Sequence, residues 1–479
     1  MAPSVENRPV PIVAPIVATI GPASAALSTL ERMIRAGMSV ARLNFSHGDF
    51  ETHARFITLV RAAAAAAGRR VAIMADLPGP KMRIGELSFD RIELTKGDHF
   101  TLTTVHMPGT AARVSVTFAD LPRVVKRGDA IYLNDGYVQL EVTSVSGTEV
   151  ETLVTAGGEL RSRKGLNLPG IDLGISAFTE RDRECLAFAL EHGVDAVSQS
   201  FVERPEDIEA VRAAARALGH DPFVIAKIER SRALDRLNEL VAASDGVMIA
   251  RGDLGVEVPI ERIALIQKQI TRVANQHAKP VITATQMLES MTAHRIPTRA
   301  EATDVANAIL DGTDAVMLSG ESATGQFPVE SVEMLTRIAA AVEPARRRIS
   351  VAELFSNVNL KERLQSEHLV ALAVEACLEH DTPAAIVVPT TSGASARRIA
   401  SLHLPVWTIA ASPHEATCQN LQFSRGVIAV HVPDEPTSWS EFAREWVRAH
   451  DLPGRRVLLA NGPSPANPSA NHRLEIVDL

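Results

Sequence analysis

Three short stretches carry charged or polar side chains at alternate positions: Arg42, Asn44 and Ser46; Lys227 and Glu229; Arg251 and Asp253. Residues two apart on a strand point to one face, so each set is expected to present its groups together. Brought into one cavity, the carboxylates of Glu229 and Asp253 would make a minimal Mg²⁺ or Mn²⁺ site with positions left open for substrate oxygens. Arg42 and Lys227 add positive charge suited to phosphate or carboxylate. The chemistry implied is that of an anionic ligand bridged by a divalent metal. Lys227 is the sharpest single signal, because an ammonium closing the apolar run Val224-Ile225-Ala226 is costly unless paired or used. Each residue alone has a plainer reading: a carboxylate at a strand end often caps the next helix, and a lone Arg commonly makes a surface ion pair.

The elements that must position these groups follow from periodicity. Short β-branched runs alternate with longer amphipathic or Ala-rich stretches, the pattern of βα units around a parallel sheet. Strands are expected at Val13 to Thr19, Val40 to Asn44, Val71 to Asp76, Ala196 to Ser200, Phe223 to Ile228, Val247 to Arg251, Val281 to Thr285 and Ala315 to Ser319. Helices are expected between them, with Ser28 and Thr179 as caps ahead of Glu31 and Asp182, and one running from Ser231 to Ala242. That is the count of a (β/α)8 TIM barrel, although an open doubly wound sheet gives a similar string. A barrel works at the carboxyl ends of its strands, where Arg42 to His47, Asp76, Lys227, Glu229, Arg251 to Asp253, Thr285, Gln286 and Ser319 to Glu321 all fall.

The stretch from Asp76 to Ala196 breaks the rhythm with short strands and turns at Lys96-Gly97-Asp98, Arg127-Gly128-Asp129 and Asn134-Asp135-Gly136. A small inserted β-barrel lid domain is expected at 81–171, hinged at Leu77-Pro78-Gly79-Pro80 and Leu168-Pro169-Gly170, with the TIM barrel made by 1–80 and 172–348. After Arg348 the pattern restarts with a helix from Leu360 to Glu379 and four strands, a C-terminal α/β domain at 349–479.

Composition excludes several classes. The chain has 479 residues, 46% hydrophobic and 22% charged, close to globular averages. Lys and Arg total 49 against 57 Asp and Glu, a net charge of −8, and Arg346 to Arg348 is the longest basic run, so no nucleic-acid partner is expected. The cysteines Cys185, Cys377 and Cys418 show no CxxC or zinc spacing and read as free thiols. The first fifteen residues hold Glu6, Arg8 and four prolines, unlike a secretory signal, and no apolar run would span a bilayer, so no membrane partner and a cytoplasmic location are expected. No P-loop, kinase HRD or DFG, or strand-following GxGxxG occurs.

At these residues the sequence resembles the pyruvate kinase family. The likeness rests on Ile20-Gly21-Pro22-Ala23-Ser24, Arg42-Leu43-Asn44-Phe45-Ser46-His47-Gly48, Lys164-Gly165-Leu166-Asn167-Leu168-Pro169-Gly170, Ala250-Arg251-Gly252-Asp253-Leu254-Gly255, Thr283-Ala284-Thr285-Gln286-Met287-Leu288 and Met317-Leu318-Ser319-Gly320-Glu321. It runs from about Ile16 to Arg348 and more loosely beyond. The resemblance implies phosphoryl transfer from phosphoenolpyruvate to ADP, giving ATP and then pyruvate, at the last step of glycolysis. It implies Glu229 and Asp253 as metal ligands, Arg42 on the phosphate, Lys227 on the transferring group and enolate, Gly252 offering backbone to the substrate carboxylate, Thr285 beside the methylene carbon, and Ser319 in a water relay. Arg83, Lys164, Asn44 and His47 match nucleotide-binding positions, and a homotetramer is implied.

Three departures stand out. Of the family's potassium ligands Asn44, Ser46 and Asp76 persist, but Leu77 replaces a Thr and Lys81 a Glu; a tethered ammonium can stand where K⁺ would, so little or no K⁺ requirement is expected. Arg230-Ser231-Arg232-Ala233 replaces an Asn and a Glu-Gly pair. Thr390, Thr391, Ser392, Gly393 and Ser395 resemble an effector phosphate loop whose usual Lys and Arg are here Thr391 and Ala394, with a later loop at Asn461 to Asn467; a sugar phosphate or AMP is the effector expected. Two other readings are a metal-dependent aldolase or lyase on a related barrel, and a catalytically silent regulatory paralogue. The lid with Arg83 and Lys164 argues against the first, and intact Lys227, Glu229, Asp253 and Thr285 argue against the second.

Overall fold

Eight strands close into a parallel barrel in chain order: β1 (Ile16–Thr19), β2 (Met38–Asn44), β3 (Ala72–Leu77), β4 (Ala196–Gln199), β5 (Phe223–Ile228), β6 (Gly246–Ala250), β7 (Val281–Ala284) and β8 (Ala315–Leu318). The structure is a computed structural model that describes residues 12–354, 366–462, 469 and 471–479. Glu6, Arg8, the expected helix start at Leu360 and Pro463 to Asn467 of the later loop lie outside the described residues. Every residue of β3, β5 and β6 is buried, which is why these strands read as continuous apolar runs rather than alternating ones. The strand positions agree with the periodicity to within a few residues, and the fold is a TIM barrel with a lid and a C-terminal α/β domain.

Local chemistry explains where the helices depart from expectation. Thr179 caps the helix Glu180–Glu191 through a reciprocal pair with Asp182, as its spacing foretold. Ser28 does not cap: the first helix starts earlier, at Leu27, with Ala26 before it and no side-chain cap. The helix expected from Ser231 splits into a 3-10 turn, Ser231–Leu234, and an α-helix, Leu237–Ala243. The Ser231 backbone N–H and hydroxyl both donate to Glu257 Oε2, at 3.4 and 3.2 Å, and tie that turn to the end of the helix Arg251–Glu257.

The inserted residues form a six-stranded sheet and a two-stranded ribbon around their own apolar core, which includes Phe100, Leu140, Leu160 and Leu173. Asn134 and Asp135, at φ 51° and 56°, make the tight turn between the strands Ala130–Leu133 and Val138–Ser146. The C-terminal sheet has the order Val427–His431, Trp407–Ser412, Ala385–Pro389, Arg456–Asn461 and Arg473–Asp478, the last antiparallel. That last strand was not anticipated, because Arg473, Glu475 and Asp478 on a half-exposed sheet edge hide its pattern.

The C-terminal domain completes the base of the barrel. Phe423 is fully buried among barrel-interior residues such as Val17, Ile225 and Met248, and its ring stacks on Phe223 at the start of β5, with centroids 5.4 Å apart. Beside it Arg425 pairs with Glu343 at 2.6 Å, and its backbone N–H donates to Asp314. Replacing Phe423 with Ala should lower the unfolding free energy by about 3–5 kcal/mol in chemical denaturation, and a loss below about 1 kcal/mol would show that the ring does not close the barrel floor.

Candidate active site

The centre of the barrel mouth is the carboxylate of Asp76 at the end of β3. Arg42, at the end of β2, donates to Asp76 Oδ2 from Nε at 2.9 Å and from a terminal nitrogen, while its other terminal nitrogen donates to Thr19 Oγ1 at 2.8 Å. Ser198 donates to Asp76 Oδ1 at 2.7 Å, and the Lys227 ammonium lies 3.5 Å from the same oxygen. Lys227 donates to Ser200 Oγ at 2.7 Å, and Ser200 donates onward to the Leu77 carbonyl. Sequence reasoning misses Ser198 and Ser200, although their two-residue spacing at the end of β4 is the signal that could find them.

Lys227 and Glu229 do share a face. The ammonium lies 3.2 Å from Glu229 Oε2, yet outside hydrogen-bonding geometry, so Oε2 is buried with no hydrogen-bond partner. Glu229 Oε1 accepts from the backbone N–H of Phe201 at 2.7 Å. Burial raises the Glu229 pKa, with Asp253 adding to the rise and Lys227 opposing it. Burial would lower the pKa of Lys227, but Asp76, Glu229 and Asp253 outweigh it and keep the group an ammonium. A buried carboxylate oxygen that accepts no hydrogen bond, with a second acid nearby, suits a hard divalent cation; among the described residues no group of three ligating His, Cys, Asp or Glu side chains occurs, here or elsewhere.

The alternation expected for Arg251 and Asp253 is overturned. β6 ends at Ala250, and Arg251–Glu257 is a helix, so the two residues stand on different sides of its first turn. Arg251 turns away to Asp304, at 2.7 Å, and to the Thr285 carbonyl, at 2.7 Å, while Asp253 is exposed in the mouth. Gly252 donates its N–H to Thr285 Oγ1 at 2.8 Å. A Cβ on Gly252 would meet that atom at 3.6 Å, ordinary contact, so packing within the chain does not demand glycine there.

Backbone strain gathers at the same rim. Thr285, Gln286 and Phe201 sit at φ 66°, 53° and 62°, the left-handed region that costs a β-branched or bulky residue about 1–3 kcal/mol. Glu321, fully buried and given no role from sequence, holds the rim after β7 to that after β8: it accepts from Leu288 N at 3.0 Å and from Ser319 N at 2.7 Å.

The lid edge brings more cations to the mouth. Arg83 and Gly165 form a β-bridge, which places Arg83 next to Lys164, and the Arg83 side chain donates to the Arg163 carbonyl at 2.9 Å. The pKa of His47 is lowered, first by burial and then by Lys81, Arg83 and Arg42. Lys81 is exposed, but protein around its ammonium lowers its pKa, Lys227 next, with Asp76 and Asp253 opposing. Asn44 Oδ1 accepts from Ser46 N at 3.1 Å, and Leu77 brings an apolar side chain, fully buried. In the C-terminal domain, Thr390, Thr391, Ser392 and Ser395 line a cavity of about 220 Å³ with Asn461 and His472, while Gly393, at φ 79°, donates its N–H to Thr390 Oγ1.

Asp76 couples this site to pH. Burial would raise its pKa, but Lys227 and Arg42 prevail and hold it at about 2 against an ordinary 3.8. A carboxyl lowered by folding stabilises the protein fully above its unfolded pKa and loses that contribution as pH falls through the folded one, about 2 kcal/mol here. Urea denaturation from about pH 5 down to about pH 2 should therefore cost the native chain about 2 kcal/mol more than it costs Asp76→Asn; equal acid sensitivity would remove Asp76 from that role.

Comparison with known proteins agrees with this geometry. Residues 13–332 match the family model "Pyruvate kinase, barrel domain", and residues 367–462 match "Pyruvate kinase, alpha/beta domain". The chain is 50% identical over 414 residues to a pyruvate kinase of Thermococcus litoralis, covering 86% of this chain and 87% of that one. It is 40% identical to that of Thermotoga maritima, covering 87% and 88%, and 41% identical to that of Geobacillus stearothermophilus, covering 88% and 72%. A closed barrel with an acid-and-amine mouth, a lid and a matching C-terminal domain therefore place this chain in the pyruvate kinase family.

Proposed function

We propose that the chain transfers the phosphoryl group of phosphoenolpyruvate to ADP, giving ATP and an enolpyruvate that is protonated to pyruvate. The observation that carries this reading is the buried oxygen of Glu229 that accepts no hydrogen bond although the Lys227 ammonium lies beside it. Glu229 and Asp253 would hold Mg²⁺ or Mn²⁺, which when bound supplies Lewis-acid polarisation of substrate oxygens. Arg42, its plane held by Asp76 and Thr19, presents a fixed guanidinium to the phosphate. Lys227 stays charged and stabilises negative charge building on the transferring group and the enolate; its raised pKa makes it a poor proton donor. Gly252 N–H must leave Thr285 Oγ1 to receive the substrate carboxylate, which couples substrate binding to the Thr285 hydroxyl beside the methylene carbon. Ser319, its backbone held by Glu321, would order a water relay there.

Residues 81–171 act as the lid. Closure brings Arg83 and Lys164 onto the ADP phosphates, with Asn44 and His47 on the barrel side, and excludes water that would otherwise take the phosphoryl group. Lys81 would take the place of a potassium ion: burial and Lys227 lower its pKa, Asp76 and Asp253 attract its ammonium, and Leu77 offers no side-chain oxygen. The cavity around Thr390 to Ser395 would receive a phosphorylated effector such as a sugar phosphate or AMP, although the loop brings no Lys or Arg of its own between 390 and 395. A cytoplasmic homotetramer is the assembly proposed; among the described residues no helix is long and apolar enough to cross a membrane.

An assay coupling pyruvate formation from phosphoenolpyruvate and ADP to lactate dehydrogenase tests the reaction. Lys227→Met should lower kcat by about 10²–10³-fold, the scale for losing one preorganised charge, with phosphoenolpyruvate and metal binding largely kept; unchanged turnover would move the catalytic role elsewhere. Activity should stay flat when KCl replaces another chloride salt at constant ionic strength, and Lys81→Glu should acquire a K⁺ requirement. A strong rise with KCl in the native chain would overturn the tethered-cation reading.

A further inference from the structure

Arg230 is among the largest fully buried side chains, and a buried guanidinium is tolerated only where each edge is paired. Its three nitrogens reach three different segments. Nε donates to Glu203 on the loop after β4 at 3.0 Å, one terminal nitrogen donates to Glu257 at 2.6 Å, and the other donates to the carbonyl of Ile171 at 2.9 Å. Glu257 closes the short helix that presents Asp253, and Ile171 lies on the strand of chain that returns from the lid to the barrel. Two residues on, the more exposed Arg232 repeats the pattern, donating to Glu203 at 3.0 Å and to Asp172 at 2.9 Å. Meanwhile the side chains of Ile171, Leu173 and Ile175 pack on the lid core. The strap 171–175 is thus apolar toward the lid and tied by backbone and carboxylate to the barrel rim.

We infer that Arg230, with Arg232, is a positioning residue that clasps the lid's return strap to the rim of the active site. The clasp sets where the lid stands over the mouth, and with it the reach of Arg83 and Lys164. It therefore governs the nucleotide half of the reaction more than the phosphoenolpyruvate half. The inference rests on the proposed nucleotide role of those two lid residues.

The test uses the full chain with Arg230→Lys, whose single ammonium cannot span three partners, and Asp172→Ala, an exposed change that leaves the core intact. Hydrogen exchange of the segment 168–175 should quicken in both. KM for ADP should rise about fivefold while KM for phosphoenolpyruvate stays within about twofold. Unchanged exchange in both variants would overturn the clasp. So would equal rises in the two KM values, which would mark Arg230 as a support of the barrel alone. Arg83→Ala serves as the control: if it leaves KM for ADP unchanged, the nucleotide reading fails, and the hydrogen-exchange result still decides the clasp by itself.

Discussion

The mouth of this barrel depends on keeping several charges in a poorly solvated place without leaving any of them alone. Lys227 and Arg42 are buried cations, and neither would persist there without Asp76 between them. Asp76 in turn is low in pKa only because those cations face it. Among the charged groups of this mouth, Glu229 Oε2 is left without a hydrogen bond. That oxygen has the Lys227 ammonium 3.2 Å away but no hydrogen bond, so the pocket keeps one acceptor in reserve where its charges are densest. The strained backbone at Phe201, which aims its N–H at the other Glu229 oxygen, fixes which atom stays open.

How far the sequence discloses this arrangement depends on which period rules each segment. The barrel strands are legible because buried parallel strands are short apolar runs, and a charge at the end of one, as at Lys227, has few other reasons to be there. The error at Arg251 and Asp253 arises where strand period gives way to helix period within one residue of Ala250, a boundary that a Gly-containing run does not announce. Ser198 and Ser200 offer only their two-residue spacing, which gains chemical meaning once their neighbours across the barrel are known. The failed cap at Ser28 and the split after Ser231 are the same lesson at smaller scale: a tertiary partner, such as Glu257 for Ser231, overrides a local preference.

The two connections to the lid are treated alike although their chemistry differs. The outgoing one is held by Asp182, which accepts from Gly79 N at 2.9 Å while also capping its own helix; the return is held by arginines. Both ends of the inserted domain are therefore fastened to the barrel through buried side chains rather than through backbone alone.

Phe423 places the last word on the barrel far downstream of the barrel's own residues. Because a chain is made from its amino end, the eight strands are all synthesised before the aromatic stopper for their floor exists. Until then the underside around Phe223 must wait as exposed apolar surface, a window in which a nascent chain would need shielding. Exchange of the C-terminal portion between relatives would therefore have to carry along an aromatic plug that matches Phe223 and its neighbours.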